Sequence, residues 1–141
     1  MNSIESTLKS FTWALVVVAL TFTSCSDDED PVIDKANLTG STWIYDHADA
    51  GDQIASAIVD AFLAGTEYTF STDNTYSSVQ LGFESEGTWE YGESTITLNP
   101  GETLEEVWEV TELSANTLVY ISTTIDSETN DESKITYIYK R

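Results

Sequence analysis

From residue 38 onward, apolar and polar side chains alternate with a period of two in short runs, each stopped by turn-forming residues. Successive side chains of an extended chain point to opposite faces, so these runs make strands with one dry face. The first run puts Trp43 and Tyr45 on one face, and the second does the same with Tyr68 and Phe70. Ser71-Thr72-Asp73-Asn74-Thr75 then reverses the chain, because Asp and Asn tolerate left-handed backbone and cap their own turns. A third strand follows over 76–81, and a fourth over 85–91 sets Trp89 and Tyr91 against Thr88 and Glu90.

After the reversal at Gly92-Glu93-Ser94, Ile96 and Leu98 mark a fifth strand, stopped by Asn99-Pro100-Gly101, where proline removes a ladder donor. Trp108 and Val110 define a sixth, between acidic positions such as Glu105 and Glu109 that read as outward. Residues 118–121 form a seventh with apolar side chains on both faces, a strand covered on both sides or lying at a seam. Ile135, Tyr137 and Tyr139 alternate in the last. The fold class is therefore all-β, a small eight-stranded antiparallel barrel.

One segment departs from the pattern. Ile54, Ala57, Ile58, Ala61 and Phe62 recur at intervals of three and four, the spacing of a helix face. Asp49 or Asp52 can cap its start, and Gly65 can end it in the left-handed conformation. The helix falls between strands one and two. Its apolar face is expected to plug or lid one end of the barrel, with packing on the outside of the sheet as the alternative.

Charge narrows the functional classes. The chain carries 25 Asp and Glu against 5 Lys and Arg, and no Lys or Arg occurs between Lys35 and Lys134. Phosphate backbones are held by Lys and Arg, so no nucleic-acid partner is expected. The carboxylates favour cations, a basic protein partner, or simple solubility as a monomer.

Catalysis is not expected either. Cys25 is the only cysteine and His47 the only histidine, which leaves no Cys-His pair and no histidine cluster for a metal. A Ser-His-Asp set could run only through His47, beside Asp46 and Asp49. The loop Asp126-Ser127-Glu128-Thr129-Asn130 alternates oxygen donors, but Asp131 and Tyr137 stand where a calcium loop needs glycine and glutamate. No catalytic residue, metal or cofactor is assigned.

The amino-terminal region carries an address. The apolar run over 11–22 is twelve residues long, in the range of a secretory signal and short of the ~20 residues that span a bilayer. Small Thr23 and Ser24 lead into Cys25, and Ser26, Asp27, Asp28, Glu29 and Asp30 follow directly. Adjacent carboxylates repel one another and cannot pack, so this stretch with Pro31 reads as a solvated tether. The expected organisation is a signal peptide over 1–24, a modified cysteine and acidic tether over 25–37, and one domain over 38–141.

Ser24-Cys25 and the acidic tetrad resemble the surface lipoproteins of the Bacteroidota. That resemblance implies lipidation of Cys25, anchoring in the outer membrane, and residues 26–30 acting as an export signal toward the cell exterior. Phe22 departs from the usual lipobox residue. Each buried methylene contributes about 0.8 kcal/mol, so two or three acyl chains would anchor firmly.

Gly40-Ser41-Thr42-Trp43 in the first strand, with Tyr68-Thr69-Phe70, Gly87-Thr88-Trp89 and Ile135-Thr136-Tyr137, resembles the lipocalin-like domains of such lipoproteins. The resemblance implies a cup that takes a small apolar or aromatic molecule. Its lining would come from Trp43, Tyr45, Tyr68, Phe70, Trp89, Trp108 and Tyr137. An eight-stranded barrel is also just narrow enough to be filled by its own side chains. A filled barrel, serving as a non-catalytic structural or interaction module with an acidic exterior, is the alternative.

Overall fold

A computed structural model describes residues 33–141. The segment 1–24 expected to be a signal peptide, Cys25 and residues 26–30 lie outside the described residues. The eight expected strands form, in chain order, around one closed antiparallel barrel. They are β1 (Thr42–Asp49), β2 (Glu67–Phe70), β3 (Thr75–Gln80), β4 (Phe83–Tyr91), β5 (Thr95–Leu98), β6 (Glu106–Leu113), β7 (Thr117–Ile125) and β8 (Glu132–Lys140). Each strand pairs with its neighbour in sequence, and β1 pairs with β8 to close the ring.

Period-two alternation sets the dry side, but two irregularities adjust it. The β1–β8 register shifts between Tyr45 and His47, and the β6–β7 register shifts between Val110 and Glu112. A bulge inserts one residue and re-aims the side chains beyond it. Ala48 and Leu113 thereby return to the interior that Tyr45 and Val110 already face. The β3–β4 hairpin turns on Leu81 and Gly82, both with positive φ, a two-residue turn whose twist matches the strands it joins.

One end of the barrel is sealed. Leu38, Leu113 and Leu118 are fully buried there, and the Trp43 indole N–H donates to the Leu38 carbonyl at 2.9 Å. Ile33 bridges to Leu113, and Asp34 N–H donates to the Leu113 carbonyl at 3.0 Å. Residues 33–37, expected to belong to the tether, thus lie against this end. Arg141 stacks over the Trp43 ring at 4.4 Å and donates to the Asn37 carbonyl at 2.8 Å, fastening the last residue to the same closure.

The helix α1 (Gln53–Leu63) lies between β1 and β2 as expected, at the opposite end. Asp52 is its cap, accepting from the N–H groups of Ile54 and Ala55 at 2.9 Å, and Gly65 follows its end at φ +77°. The face it turns inward is not the one expected. Ile54, Ile58 and Phe62 are 75%, 54% and 63% exposed, whereas Val59 and Leu63 pack on the barrel core.

The reason is a second face, at positions 56, 59, 60 and 63, that carries hydrogen-bonding groups as well as apolar ones. Asp60 Oδ1 accepts from the Tyr45 hydroxyl at 2.7 Å and from Ala48 N–H at 2.8 Å, while Ser56 Oγ accepts from Ala50 N–H at 3.0 Å. Turning the helix to bury Ile58 would strand these groups of β1 and the turn that follows it. Polar demand at the strand end decides the rotation of the helix.

The same contact fixes a pH response. The Tyr45 hydroxyl, with Ala48 N–H second, holds the Asp60 carboxyl below its ordinary value of 3.8. A depressed carboxyl stabilises the folded state fully above the unfolded value, and that contribution is lost as pH falls through the lower folded value. Hydrogen exchange over residues 53–63 is therefore expected to accelerate below pH 3.8 ahead of the barrel strands. Asp60→Ala should show the acceleration already at neutral pH. Equal protection of α1 in both proteins at neutral pH would remove the role given to Asp60.

Candidate functional site

The inward positions of the strands change in character from one end of the barrel to the other. Toward the sealed end they are apolar and buried: Trp43, Phe70, Ile96, Val110, Leu113 and Leu118. Toward the helix end the same faces carry Ser78 and Gln80 on β3, Phe83 and Ser85 on β4, Glu106 on β6, Ser122 and Thr124 on β7, and Ser133 and Ile135 on β8. Of these, Gln80, Phe83, Ser85, Glu106, Thr124 and Ser133 are exposed although the register points them inward. The interior is sealed at one end, and at the helix end it is open to solvent at these positions.

Aromatic rings make the floor of that opening. Trp108 stacks on Tyr120 with centroids 4.1 Å apart and planes 3° from parallel, and Tyr120 stacks in turn on Tyr137 at 5.0 Å. Tyr68 meets the Trp108 ring edge-on at 4.9 Å. Burial pushes the Tyr68, Tyr120, Tyr137 and Tyr139 hydroxyls above their ordinary pKa, and the nearby Glu106 carboxylate adds to the rise in all four. These phenols stay neutral near pH 7. Glu106 Oε1 accepts from the Trp108 indole N–H at 2.7 Å, which holds the carboxylate at the edge of the stack.

The seven side chains suggested as a lining all belong to or pack on one interior cluster, but at different depths. Trp43, Phe70 and Trp108 are fully buried and fill space. Trp89 meets Phe70 edge-on at 5.6 Å, and its N–H donates to the Ser71 and Thr75 carbonyls, which ties it to the β2–β3 turn. Tyr45 is committed to Asp60 and packs edge-on against Tyr139 at 5.4 Å. Tyr68 and Tyr137 are half-buried, with the Glu106 carboxylate near both hydroxyls.

The remaining candidates are spread over the surface. His47 is exposed, its Nδ1 2.9 Å from Asp46 Oδ2 on the adjacent residue. Asp126 Oδ1 accepts the backbone N–H groups of Glu128 and Thr129 at 2.8 Å each, which holds its carboxyl below the usual range and makes it a turn cap. Among the described residues, no three His, Cys, Asp or Glu side chains converge as metal ligands.

Glu106 is the residue that sequence reasoning missed. Period two counted back from Trp108 places position 106 on the inner face, but the flanking Glu105 and Glu109 disguise it as one more outward acid. Glu105 is indeed turned elsewhere, its Oε2 accepting from Gly101 N–H at 2.6 Å.

No curated protein matches this sequence. The family model described as a lipocalin-like domain matches residues 42–120. That match runs from the first residue of β1 to Tyr120 in the floor of the opening, on a closed eight-stranded barrel, and the chain belongs to the lipocalin-like domain family.

Proposed function

We propose that this protein binds a small apolar or aromatic molecule at the open end of its barrel, without catalysis, while anchored through lipid on Cys25 to the outer membrane and facing the cell exterior. The observation that carries the binding reading is the set of inward-facing side chains left exposed above an aromatic floor. A ligand seated there would lie against Tyr68 and Tyr137, with the Trp108 indole just beneath. Tryptophan fluorescence is expected to be quenched or shifted on titration with an aromatic ligand. Tyr137→Ala should weaken binding roughly tenfold, the scale of one lost aromatic contact of ~1.5 kcal/mol. Saturable binding that is identical in the variant would place the ligand elsewhere.

The anchoring reading rests on Ser24-Cys25 and the acidic residues 27–30. Cys25→Ala is expected to move the protein from the membrane to the soluble fraction after signal cleavage. Neutralising Asp27, Asp28, Glu29 and Asp30 should leave it anchored but change the face it occupies, as read by protease accessibility on intact cells. A cleaved Cys25→Ala protein that still sediments with membranes would sink the anchor.

A further inference from the structure

We propose that Glu106 makes the mouth of the barrel selective for an organic cation, an amine or quaternary ammonium carried on an apolar or aromatic body. This rests on the proposed binding at the open end and names the ligand class for the same opening. Position 106 pairs with buried Leu98 and shares its face with buried Trp108, so the carboxylate stands on the inner wall and not on the acidic exterior. The Trp108 indole N–H holds Oε1, and no hydrogen bond to Oε2 is formed by the described residues.

No protein cation among the described residues answers this charge. The four described Lys and Arg side chains are all placed elsewhere. Lys35 lies over Tyr91, Lys134 pairs with Glu132 at 3.2 Å, Lys140 donates to Thr117 Oγ1, and Arg141 lies over Trp43.

That arrangement separates the possible ligands. A neutral apolar molecule covering the opening would strip water from an unpaired carboxylate and receive nothing in return, a cost that grows with how well it fits. An anion would meet Glu106 inside a chain of formal net charge −20. A cation would pair with the carboxylate and also lie near the Tyr68 and Tyr137 rings, whose electron-rich faces attract positive charge. Half-buried Ile135 and exposed Phe83 on the same inner faces supply apolar wall for the ligand body.

The test uses the chain from residue 25 onward carrying Cys25→Ala, which lacks the apolar run 11–22 and any lipid-bearing thiol, with two probes of one shape: benzyltrimethylammonium and neutral neopentylbenzene. Tryptophan fluorescence and calorimetry should show the cation binding roughly tenfold or more tightly. Glu106→Gln keeps an acceptor for the Trp108 indole and should abolish that preference. Glu109→Gln, an exposed acid on the outer face of the same strand, removes the same charge and should leave it intact.

Equal affinity for the two probes would overturn the cation proposal and leave the binding reading standing. A preference that survives in Glu106→Gln would overturn it too, because the charge of the whole chain would then be the source. Failure of both probes to bind would overturn both readings. If Glu106→Gln does not fold, Tyr137→Leu, which keeps the carboxylate and removes a ring, should reduce the preference, and an unchanged preference would count against the proposal.

Discussion

Trp108→Ala should lower the free energy of unfolding by about 3–5 kcal/mol, the range for deleting a fully buried aromatic side chain. The residue has no exposed surface, stacks on Tyr120, meets Tyr68 and Phe70 edge-on, and supports Glu106 through its N–H. Its removal leaves a void among rings that cannot collapse together, because their strands are locked into a closed ladder. A domain of this size is stable by only about 5–15 kcal/mol, so the variant should sit close to its unfolding midpoint at growth temperature. Urea denaturation followed by circular dichroism reads the loss. Val107→Ala, on the outer face of the same strand and half-exposed, should shift stability by only about 0.5 kcal/mol. Comparable shifts in the two variants would mean that the aromatic stack is not the centre of the core.

Gly87→Ala should cost about 1–3 kcal/mol through crowding rather than through backbone strain. A Cβ at this position would come within 2.1 Å of Asn99 Oδ1 and 2.7 Å of Tyr76 Cε1. Neither neighbour moves freely. Asn99 has φ +51°, donates to the Tyr76 hydroxyl at 3.0 Å, and accepts from Thr88 N–H at 3.4 Å. Asn99→Gly keeps that backbone conformation and removes the nearest obstacle, so the double variant should lose less stability than the two single changes added together. Strict additivity would show that Asn99 is not what Gly87 makes room for. Gly40→Ala is a useful contrast, since nothing lies within 4 Å there and only its φ of +84° resists a side chain.

The barrel was legible because each strand repeats the same local message. Trp43 with Tyr45, Tyr68 with Phe70, and Ile135 with Tyr137 and Tyr139 each state which side is dry, and the turn residues state where the side ends. The helix was legible as an element and not as an orientation. Its strongest apolar stripe, through Ile54, Ile58 and Phe62, stayed in solvent because Asp60 and Ser56 on another face had polar groups of β1 and its following turn to satisfy. Periodicity reports which positions share a face, and hydrogen bonds to distant backbone are invisible to it. The site was blurred for a related reason. Aromatic residues that fill the barrel and those that face its opening have the same sequence signature, and only depth along the barrel, set by the register of all eight strands, separates Phe70 and Trp108 from Tyr68 and Tyr137.

The closure of the ring by β1 and β8 has a consequence for how the chain comes to be folded. Seven of the eight ladders join strands that follow one another in sequence, and these can form as soon as both partners exist. The eighth joins the first strand to the last and must wait for residues 132–140. Until then β1 and β7 each present an unpaired edge, and the half-built sheet lacks Tyr137 and Tyr139. A nascent chain is thus exposed to edge-to-edge aggregation until β8 has been made, and a truncation that removes β8 would keep it so permanently.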